Sequence, residues 1–313
     1  MNSQQTPPST QMAPKTFSNG LTYRETINDA RAKKISIGHF NISNLEALKG
    51  IVQAAIKLNV PVIIGVSEGE RDYVGVEQSV ALVNAYRVQN NNHPIFLNAD
   101  HTYSFERVKE AIDAGFDSAI IDGAKLSLAE NMEMAKKSVD YAREVQKNTG
   151  RDIIIEGELG YIGTSSKILD AIPDGVGLDP ASLTSKEDSL AFIRETGVDM
   201  LAPSVGNVHG MLRSGANPAL NIGRIKELSD AVNMPMVLHG ASGISNDDLL
   251  AASENGMTII HYNTELRVAF RDAVRDSLAK NPDEVAPYKI LASSVEAVQR
   301  VVEEKLKVMN RIK

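Results

Sequence analysis

With 313 residues, 42% hydrophobic and 23% charged, the chain has an ordinary globular composition and the length of two domains or of one α/β barrel with additions. Its 33 basic and 40 acidic residues give a net charge of −7 and a pI near 5.5, which argues against a nucleic-acid binder or a basic membrane-surface protein. Cysteine and tryptophan are absent and aromatics are 5%, which excludes disulfides, thiolate metal sites, iron–sulfur clusters and a cysteine nucleophile and leaves no base-stacking platform.

Residues Met1 to Ser18 are rich in Gln, Ser, Thr and Pro. They bury too little to offset ordering entropy and are expected as a flexible tail; they also lack the basic-then-apolar pattern of a secretory signal. From residue 19 to 313 the chain is expected to form a single domain. Strand candidates rich in β-branched residues alternate with segments of helical period. Lys34–Phe40 leads to a helix over Asn44–Leu58, Pro61–Val66 to Gly75–Asn90, Pro94–Ala99 to Phe105–Ala114, and Ser118–Asp122 to Ser127–Asn148. Ile153–Glu158 leads to Ser185–Thr196, Met200–Val205 to Ile222–Val232, Met236–His239 to Asn246–Asn255, and Met257–Tyr262 to Thr264–Leu278. Ser43, Asn44 and Ser104 supply start signals, and Gly115 and Gly197 stop signals.

Eight strands, each followed by a helix, is the count of a (β/α)8 TIM barrel. Runs such as DIIIE suit a parallel sheet covered on both faces. A doubly wound open sheet fits less well, because no G-x-G-x-x-G follows the first strand. A C-terminal helical extension places Val295, Val298, Val302 and Leu306 on one face. That stripe packs either on its own barrel or on a second copy, and a homodimer or homotetramer is expected. Apolar stretches such as Val60–Val66 fall short of the ~20 residues that span a bilayer, so a cytoplasmic chain without membrane partners is expected.

The C-terminal ends of barrel strands and the loops after them build the active site. Read in order, they carry Asn41, Ser67, Glu68, Asp100, His101, Asp122, Glu156, Glu158, His209, His239, His261 and Asn263. A single histidine there is more often a hydrogen-bonded structural residue than a ligand. His101, His209 and His239, however, follow strands three, six and seven, and barrel closure brings them to one mouth. Three imidazoles with an open position form a catalytic Zn²⁺ arrangement. Glu156 and Glu158 alternate, so they point the same way. Facing inward they need a cation or a proton, with Glu158, nearer the mouth, as the ligand; otherwise both lie solvated in a loop. Asp122 serves either a second metal position or the backbone of its turn.

Asp100 directly precedes His101, and adjacent strand side chains diverge unless the strand bends. Asp100 is therefore read as exchanging protons with a substrate hydroxyl, the alternative being a carboxylate that orients an imidazole. Glycine-rich stretches after strands six and seven, with Asn263 and Thr264 opening the helix after strand eight, suit a phosphate or form a plain tight turn.

At these residues the sequence resembles the class II, metal-dependent ketose-bisphosphate aldolases, which act on fructose and tagatose bisphosphates. The likeness runs through FNISNLEALKGIV, PVIIGVSEG, NADHTYSFERVKEAIDAGFDSAIIDGA, EGELGYIG, ETGVDMLAPSVGNVHG, VLHGASGI and NTELRVAFRDAV, from about Ile35 to Lys307. The resemblance implies a lyase that cleaves a ketose bisphosphate, first of all fructose 1,6-bisphosphate, to dihydroxyacetone phosphate and an aldehyde phosphate. It implies Zn²⁺ or another divalent metal on His101, His209 and His239, with Glu158 as displaceable ligand and Asp122 near a second metal position. Asp100 is implied as the acid/base at the C4 hydroxyl. Gly210, Gly240, Ala241, Ser242 and Thr264 are implied for the phosphate and dihydroxyacetone-phosphate loops. Backbone carbonyls of Val208, Gly210 and Gly240 are implied for a monovalent cation, Na⁺ or K⁺, and Asn41 and Ser67 for substrate contact.

Two departures stand out. The family's Asn-Val-x-Thr after strand eight reads here His261-Tyr262-Asn263-Thr264, which places an imidazole where an amide meets the dihydroxyacetone-phosphate moiety. The acidic loop after EGELG reads Gly163-Thr164-Ser165-Ser166-Lys167, with Asp170 or Asp174 as substitutes for the family's loop base. Against an aldolase of this kind stand a Schiff-base mechanism on Lys125, a metal-dependent sugar-phosphate isomerase or epimerase, an aldolase for another phosphorylated ketose, and a non-catalytic sugar-phosphate-binding barrel.

Overall fold

Ten strands occur in the computed structural model, which describes residues 21–163, 166–214 and 216–312; the tail expected at the N-terminus lies outside them. They are β1 (Ile37–Asn41), β2 (Val62–Ser67), β3 (Ile95–Thr102), β4 (Ser118–Ile121), β5 (Ile154–Leu159), β6 (Ile168–Leu169), β7 (Met200–Pro203), β8 (Met211–Leu212), β9 (Met236–Leu238) and β10 (Met257–Tyr262). Eight close into a parallel barrel in the order β1-β2-β3-β4-β5-β7-β9-β10, while β6 and β8 pair with each other in the loops after β5 and β7. The expected (β/α)8 TIM barrel is the fold.

The helices are α1 (Tyr23–Lys33), α2 (Leu45–Leu58), α3 (Glu68–Val74), α4 (Val76–Gln89), α5 (Phe105–Ala114), α6 (Leu128–Thr149), α7 (Lys186–Thr196), α8 (Ile222–Val232), α9 (Asn246–Glu254), α10 (Thr264–Lys280), α11 (Pro287–Ile290) and α12 (Ala292–Asn310). Their boundaries follow local chemistry. Asn44, Ser104, Ser127, Ser185 and Ser245 each accept a backbone N–H of the first turn, and Gly115, Gly150 and Gly197 end helices in the left-handed region.

Two differences from the sequence expectation have identifiable causes. The helix expected from Gly75 is preceded by α3, because Ser67 and Glu70 form a capping box at the very end of β2. Gly75, at φ +97°, then separates α3 from α4. Helix α1 has no counterpart among the expected elements, although Thr22 and Glu25 carry the same capping-box signal. Its Tyr23, Ile27 and Ala30 join Ile37, Ile63, Phe96, Ile154, Met200, Val237 and Ile259, which lie early in their strands, in one apolar cluster. Helix α1 therefore closes the N-terminal end of the barrel.

Strand periodicity sorts the rest. Phe40, Ile64, Leu97, Ala99, Ile155, Leu238 and Ile260 face outward into the helical layer. The alternate residues face inward, apolar at the strand starts and polar toward the strand ends: Ile37 gives way to His39 and Asn41, Phe96 to Asn98 and Asp100, and Ile154 to Glu156 and Glu158. Among the described residues no helix is long and apolar enough to cross a membrane.

The C-terminal stripe covers its own barrel: Val298, Val302, Leu306 and Met309 are buried in the cluster that holds Leu48 and Ile51 of α2. Gly50 permits this approach, since a Cβ there would lie 2.7 Å from the Val295 carbonyl and 3.0 Å from the Gln299 nitrogen. Both are backbone atoms that cannot rotate away. Overpacking of this kind costs about 1–3 kcal/mol, against the ~1 kcal/mol that alanine gains over glycine in a helix. Gly50→Ala is therefore expected to lower the urea midpoint, and an unchanged or raised midpoint would refute the tight α2–α12 contact.

Candidate metal centre and substrate pocket

The metal candidates arise on or just after five strands, β3, β4, β5, β7 and β9, at the C-terminal rim. Register slips between Ala99 and Thr102 on β3, and His101 has φ +31°. This bulge is the bend that the Asp100–His101 juxtaposition required, and it turns neighbouring side chains into one cavity. His209 lies between β7 and β8, and His239 follows β9 directly. The ring centroids of His101, His209 and His239 are 4.7, 4.9 and 5.9 Å apart, and one ring nitrogen of each lies within 4.8 Å of the others. Barrel closure does bring the three imidazoles together.

Each ring is also held by its far nitrogen. His101 Nδ1 meets Asp122 Oδ2 at 2.9 Å, His209 Nδ1 meets the Gly163 carbonyl at 2.8 Å, and His239 Nε2 meets Glu156 Oε1 at 2.7 Å. These partners accept only, so each assigns the N–H to that nitrogen and leaves the other as a lone pair, as metal-binding imidazoles require. His239 Nδ1 is buried with no hydrogen-bond partner. Glu158 Oε2, also buried and unpartnered, lies 3.5 Å from both His239 Nδ1 and His101 Nδ1. Orphaned donor atoms of this chemistry fit a divalent cation. Glu156 and Glu158 both face inward, at 0% and 3% exposure, which removes the solvated-loop alternative. Asp122 lies against His101 and accepts the Ala124 N–H at 3.3 Å.

Electrostatics follow from this crowding. Burial opposes the His101 imidazolium, yet Asp100, Asp122 and Glu158 outweigh it and raise its pKa to about 9. Burial likewise opposes charge on His239, but Glu156 and Glu158 raise it well above the usual range. Burial, then the charges of His101 and His239, lowers His209 to about 3. Burial pushes Glu156 and Glu158 up, the latter helped by Asp122. Burial would also raise Asp100, but His101, His261 and His39 hold it well below the carboxylate range.

A second buried group, His39, Asp100 and His261, also brings donor atoms within 4.8 Å of one another. Here the His39 and His261 rings are parallel to within 2° at 3.5 Å, so their in-plane lone pairs run side by side rather than converging. His39 is not among the residues expected from the sequence; its signal is its place two residues before Asn41 on the same inward face. Gly65 makes room for its ring, since a Cβ there would lie 2.1 Å from His39 Cε1.

Asn41, Asp100, His101, His209, Gly210, Gly240, Ser242, His261, Asn263 and Thr264, together with Ser166, line a narrow cleft. Ser67 is not among these lining residues; it ends β2 and caps α3. Ala241 is fully buried and its N–H donates to the His261 carbonyl. Val208 and Gly240 approach so closely that a Cβ on Gly240 would meet the Val208 carbonyl at 2.5 Å, while the Gly210 carbonyl accepts from Asn217. Asp170 is paired with Arg213 and Asp174 is exposed; neither lines the cleft. Glu70, which no strand-end position marks in the sequence, reaches Asn41 Nδ2 at 2.8 Å.

Comparisons with known proteins place the chain among relatives. The sequence model of the family described as fructose-bisphosphate aldolase class-II matches residues 21–313. A fructose-bisphosphate aldolase of Geobacillus stearothermophilus is 34% identical over 289 residues, spanning 92% of this chain and 96% of that protein. One from Staphylococcus aureus is 35% identical with the same coverage. The solved structure of the YdjI aldolase from Escherichia coli K12 is similar with a TM-score of 0.75 and 30% identity, covering 92% of this chain and 96% of that one.

A cation and a proton compete for the same imidazole lone pair. With His101 raised to about 9, divalent-cation affinity is expected to rise with pH from about 6 to 9, and binding to release protons. Calorimetry in buffers of different ionisation enthalpy checks this; pH-independent affinity without proton release would exclude His101 as a ligand.

Proposed function

The chain belongs to the class-II fructose-bisphosphate aldolase family, and from that premise we propose that it cleaves a ketose bisphosphate, first of all fructose 1,6-bisphosphate, between C3 and C4. The products are dihydroxyacetone phosphate and an aldehyde phosphate, and the reaction is reversible. One observation carries the reading: three converging imidazoles, each with its far nitrogen committed to an acceptor.

His101, His209 and His239 would hold the ion, with Glu158 as the displaceable ligand and Asp122 orienting His101 or serving a second metal position. The histidine-rich set with one carboxylate suits Zn²⁺. The family is generally divalent-metal dependent, and a bound ion supplies Lewis acidity at the C2 carbonyl.

The remaining work falls to side chains and backbone. Asp100 has Oδ2 held by Asn41 Nδ2 at 2.7 Å and Oδ1 buried with no donor. Oδ1 takes the C4 hydroxyl proton as the aldehyde departs and returns it in the condensation direction. C3, left with the bonding electron pair, takes its proton from a separate acid, water or a loop carboxylate. Gly210, Gly240, Ala241 and Ser242, with Asn263 and Thr264 opening α10, hold the phosphate of the dihydroxyacetone-phosphate half and fix its orientation. Asn41 and Ser67 belong to the substrate rim. A monovalent cation on the carbonyls of Val208, Gly210 and Gly240, a cytoplasmic location and a homodimer or homotetramer complete the proposal.

A second reading rests on His261. Its Nδ1 lies 3.5 Å from Asp100 Oδ1 and its Nε2 is buried without a partner, inside the cleft. An imidazole in place of the family's amide changes the groups offered to the dihydroxyacetone-phosphate half, and the alternative substrate is tagatose 1,6-bisphosphate or another phosphorylated ketose. A Schiff-base route is disfavoured by Lys125, which is exposed and outside the cleft lining.

A panel of ketose phosphates, assayed for triose phosphate with divalent metal removed and restored, tests these readings. Cleavage is expected only with metal, without inactivation by borohydride. Asp100→Ala is expected to lower kcat by at least about 10²-fold. Metal-independent cleavage, or wild-type turnover in that variant, would overturn the mechanism.

A further inference from the structure

Glu70 stands third in α3, 6% exposed, and no step of the proposed reaction uses it. Its carboxylate nevertheless meets three donors. Oε2 accepts from Asn41 Nδ2 at 2.8 Å and from the Ser67 N–H at 2.8 Å, and Oε1 accepts from Arg267 Nη2 at 2.6 Å. Asn41 Nδ2 also donates to Asp100 Oδ2 at 2.7 Å. An amide nitrogen carries two hydrogens, so Asn41 gives one to each carboxylate, and the flipped amide would set its oxygen against two acceptors. Glu70 thus removes the rotational choice of Asn41, and Asn41 in turn occupies one oxygen of Asp100. The other oxygen, Oδ1, is left toward the cleft, 3.8 Å from His101 Nε2 and 3.5 Å from His261 Nδ1.

We infer that Glu70 is a positioning residue: through Asn41 it holds the Asp100 carboxylate with Oδ1 aimed at the substrate hydroxyl. The chain of contacts runs from Arg267 on α10, through Glu70 on α3 and Asn41 on β1, to Asp100 on β3. It ties the first turns of α3 and α10 to the C-terminal ends of β1 and β3. A carboxylate suits the place because it accepts on both oxygens at once, two N–H donors on one and a guanidinium on the other. The buried charge is matched by Arg267, whose side chain is 46% exposed, so removing Glu70 leaves that guanidinium hydrated rather than stranded. The fold is expected to survive the change. The inference rests on Asp100 as the acid/base.

Two reactions of one enzyme separate positioning from general damage. Cleavage needs Asp100 at the C4 hydroxyl. Exchange of a carbon-bound hydrogen of dihydroxyacetone phosphate with deuterated water involves no C4 hydroxyl and bypasses Asp100. In metal-loaded Glu70→Ala, kcat for cleavage is expected to fall about 10- to 100-fold, within the range that misplacing a catalytic group costs. KM and the exchange rate, followed by NMR, are expected to stay within about threefold. Glu70→Gln keeps an acceptor for Asn41 while giving up the pair with Arg267, and its cleavage is expected within about threefold of wild type.

Unchanged cleavage in Glu70→Ala, an equal loss in both reactions, or a Glu70→Gln variant as slow as Glu70→Ala would each overturn the positioning role. Asp100→Ala in the same pair of assays reports separately on the premise. Cleavage at the wild-type rate there rejects the acid/base reading itself. Lost cleavage with retained exchange upholds it, and the variants of Glu70 then decide the positioning role on their own.

Discussion

Closing eight strands into a cylinder forces every second residue of each strand into a space that water barely reaches, and this constraint governs the molecule. In the N-terminal half that space is filled by Ile37, Ile63, Phe96, Ile154, Val237 and Ile259 and sealed by α1. In the C-terminal half the same inward positions carry His39, Asn98, Asp100, Glu156, Glu158, His239 and His261, all buried. An unsatisfied buried polar group costs about 1–3 kcal/mol. Yet Asp100 Oδ1, Glu156 Oε2, Glu158 Oε2, His239 Nδ1 and His261 Nε2 are all left without partners, and all sit in this half. The apolar half stabilises a barrel whose other half is held ready for ligands, the division between stability and function faces that this fold makes possible.

Electrostatics sharpen that division. Asp100, Asp122, Glu156 and Glu158 surround three imidazoles, so the cleft is acidic before any cation enters. A phosphorylated sugar is itself anionic and would be repelled by those carboxylates alone. Under the proposed function, the loops after β7 and β9 and the first turn of α10 would meet that anion with backbone N–H groups rather than with side-chain cations. The described lining of the cleft includes no lysine or arginine. A divalent ion held among the imidazoles would therefore balance the carboxylates as well as supply chemistry.

Much of this is legible in the sequence, because the signals are periodic. Inward polar residues at strand ends announce themselves by position, and His101, His209 and His239 need only closure to meet. The parts that escape depend on contacts between distant segments. Glu70 falls between the expected strand and helix, and nothing marks it until Asn41 and Arg267 are seen against it. His39 hides in a strand middle, and only its register with His261 on β10 reveals a stacked pair. Helix α1 carries a readable capping box, but its role as the barrel's plug depends on Phe96, with which Tyr23 stacks at 4.3 Å. The C-terminal stripe is recognisable as a stripe; Gly50, near the other end of the chain, decides what it covers.

The bulge on β3 shows why two adjacent residues can hold different duties. On a regular strand Asp100 and His101 would face opposite sides, and one of them would be lost to the helical layer. The positive φ at His101 and the slipped register before Thr102 instead bring both into the cleft, along different directions. Arg71, buried in α3, steadies the distortion by donating to the Val66 and Asp100 carbonyls at 2.7 and 3.2 Å and to Thr102 Oγ1 at 3.0 Å. The strained backbone is thus held from outside the barrel while its two side chains act inside. The same short helix α3 carries Glu70, which sets Asp100 through Asn41. A segment with no place in the metal centre therefore controls both the backbone and the side chain of the residue proposed to move the proton.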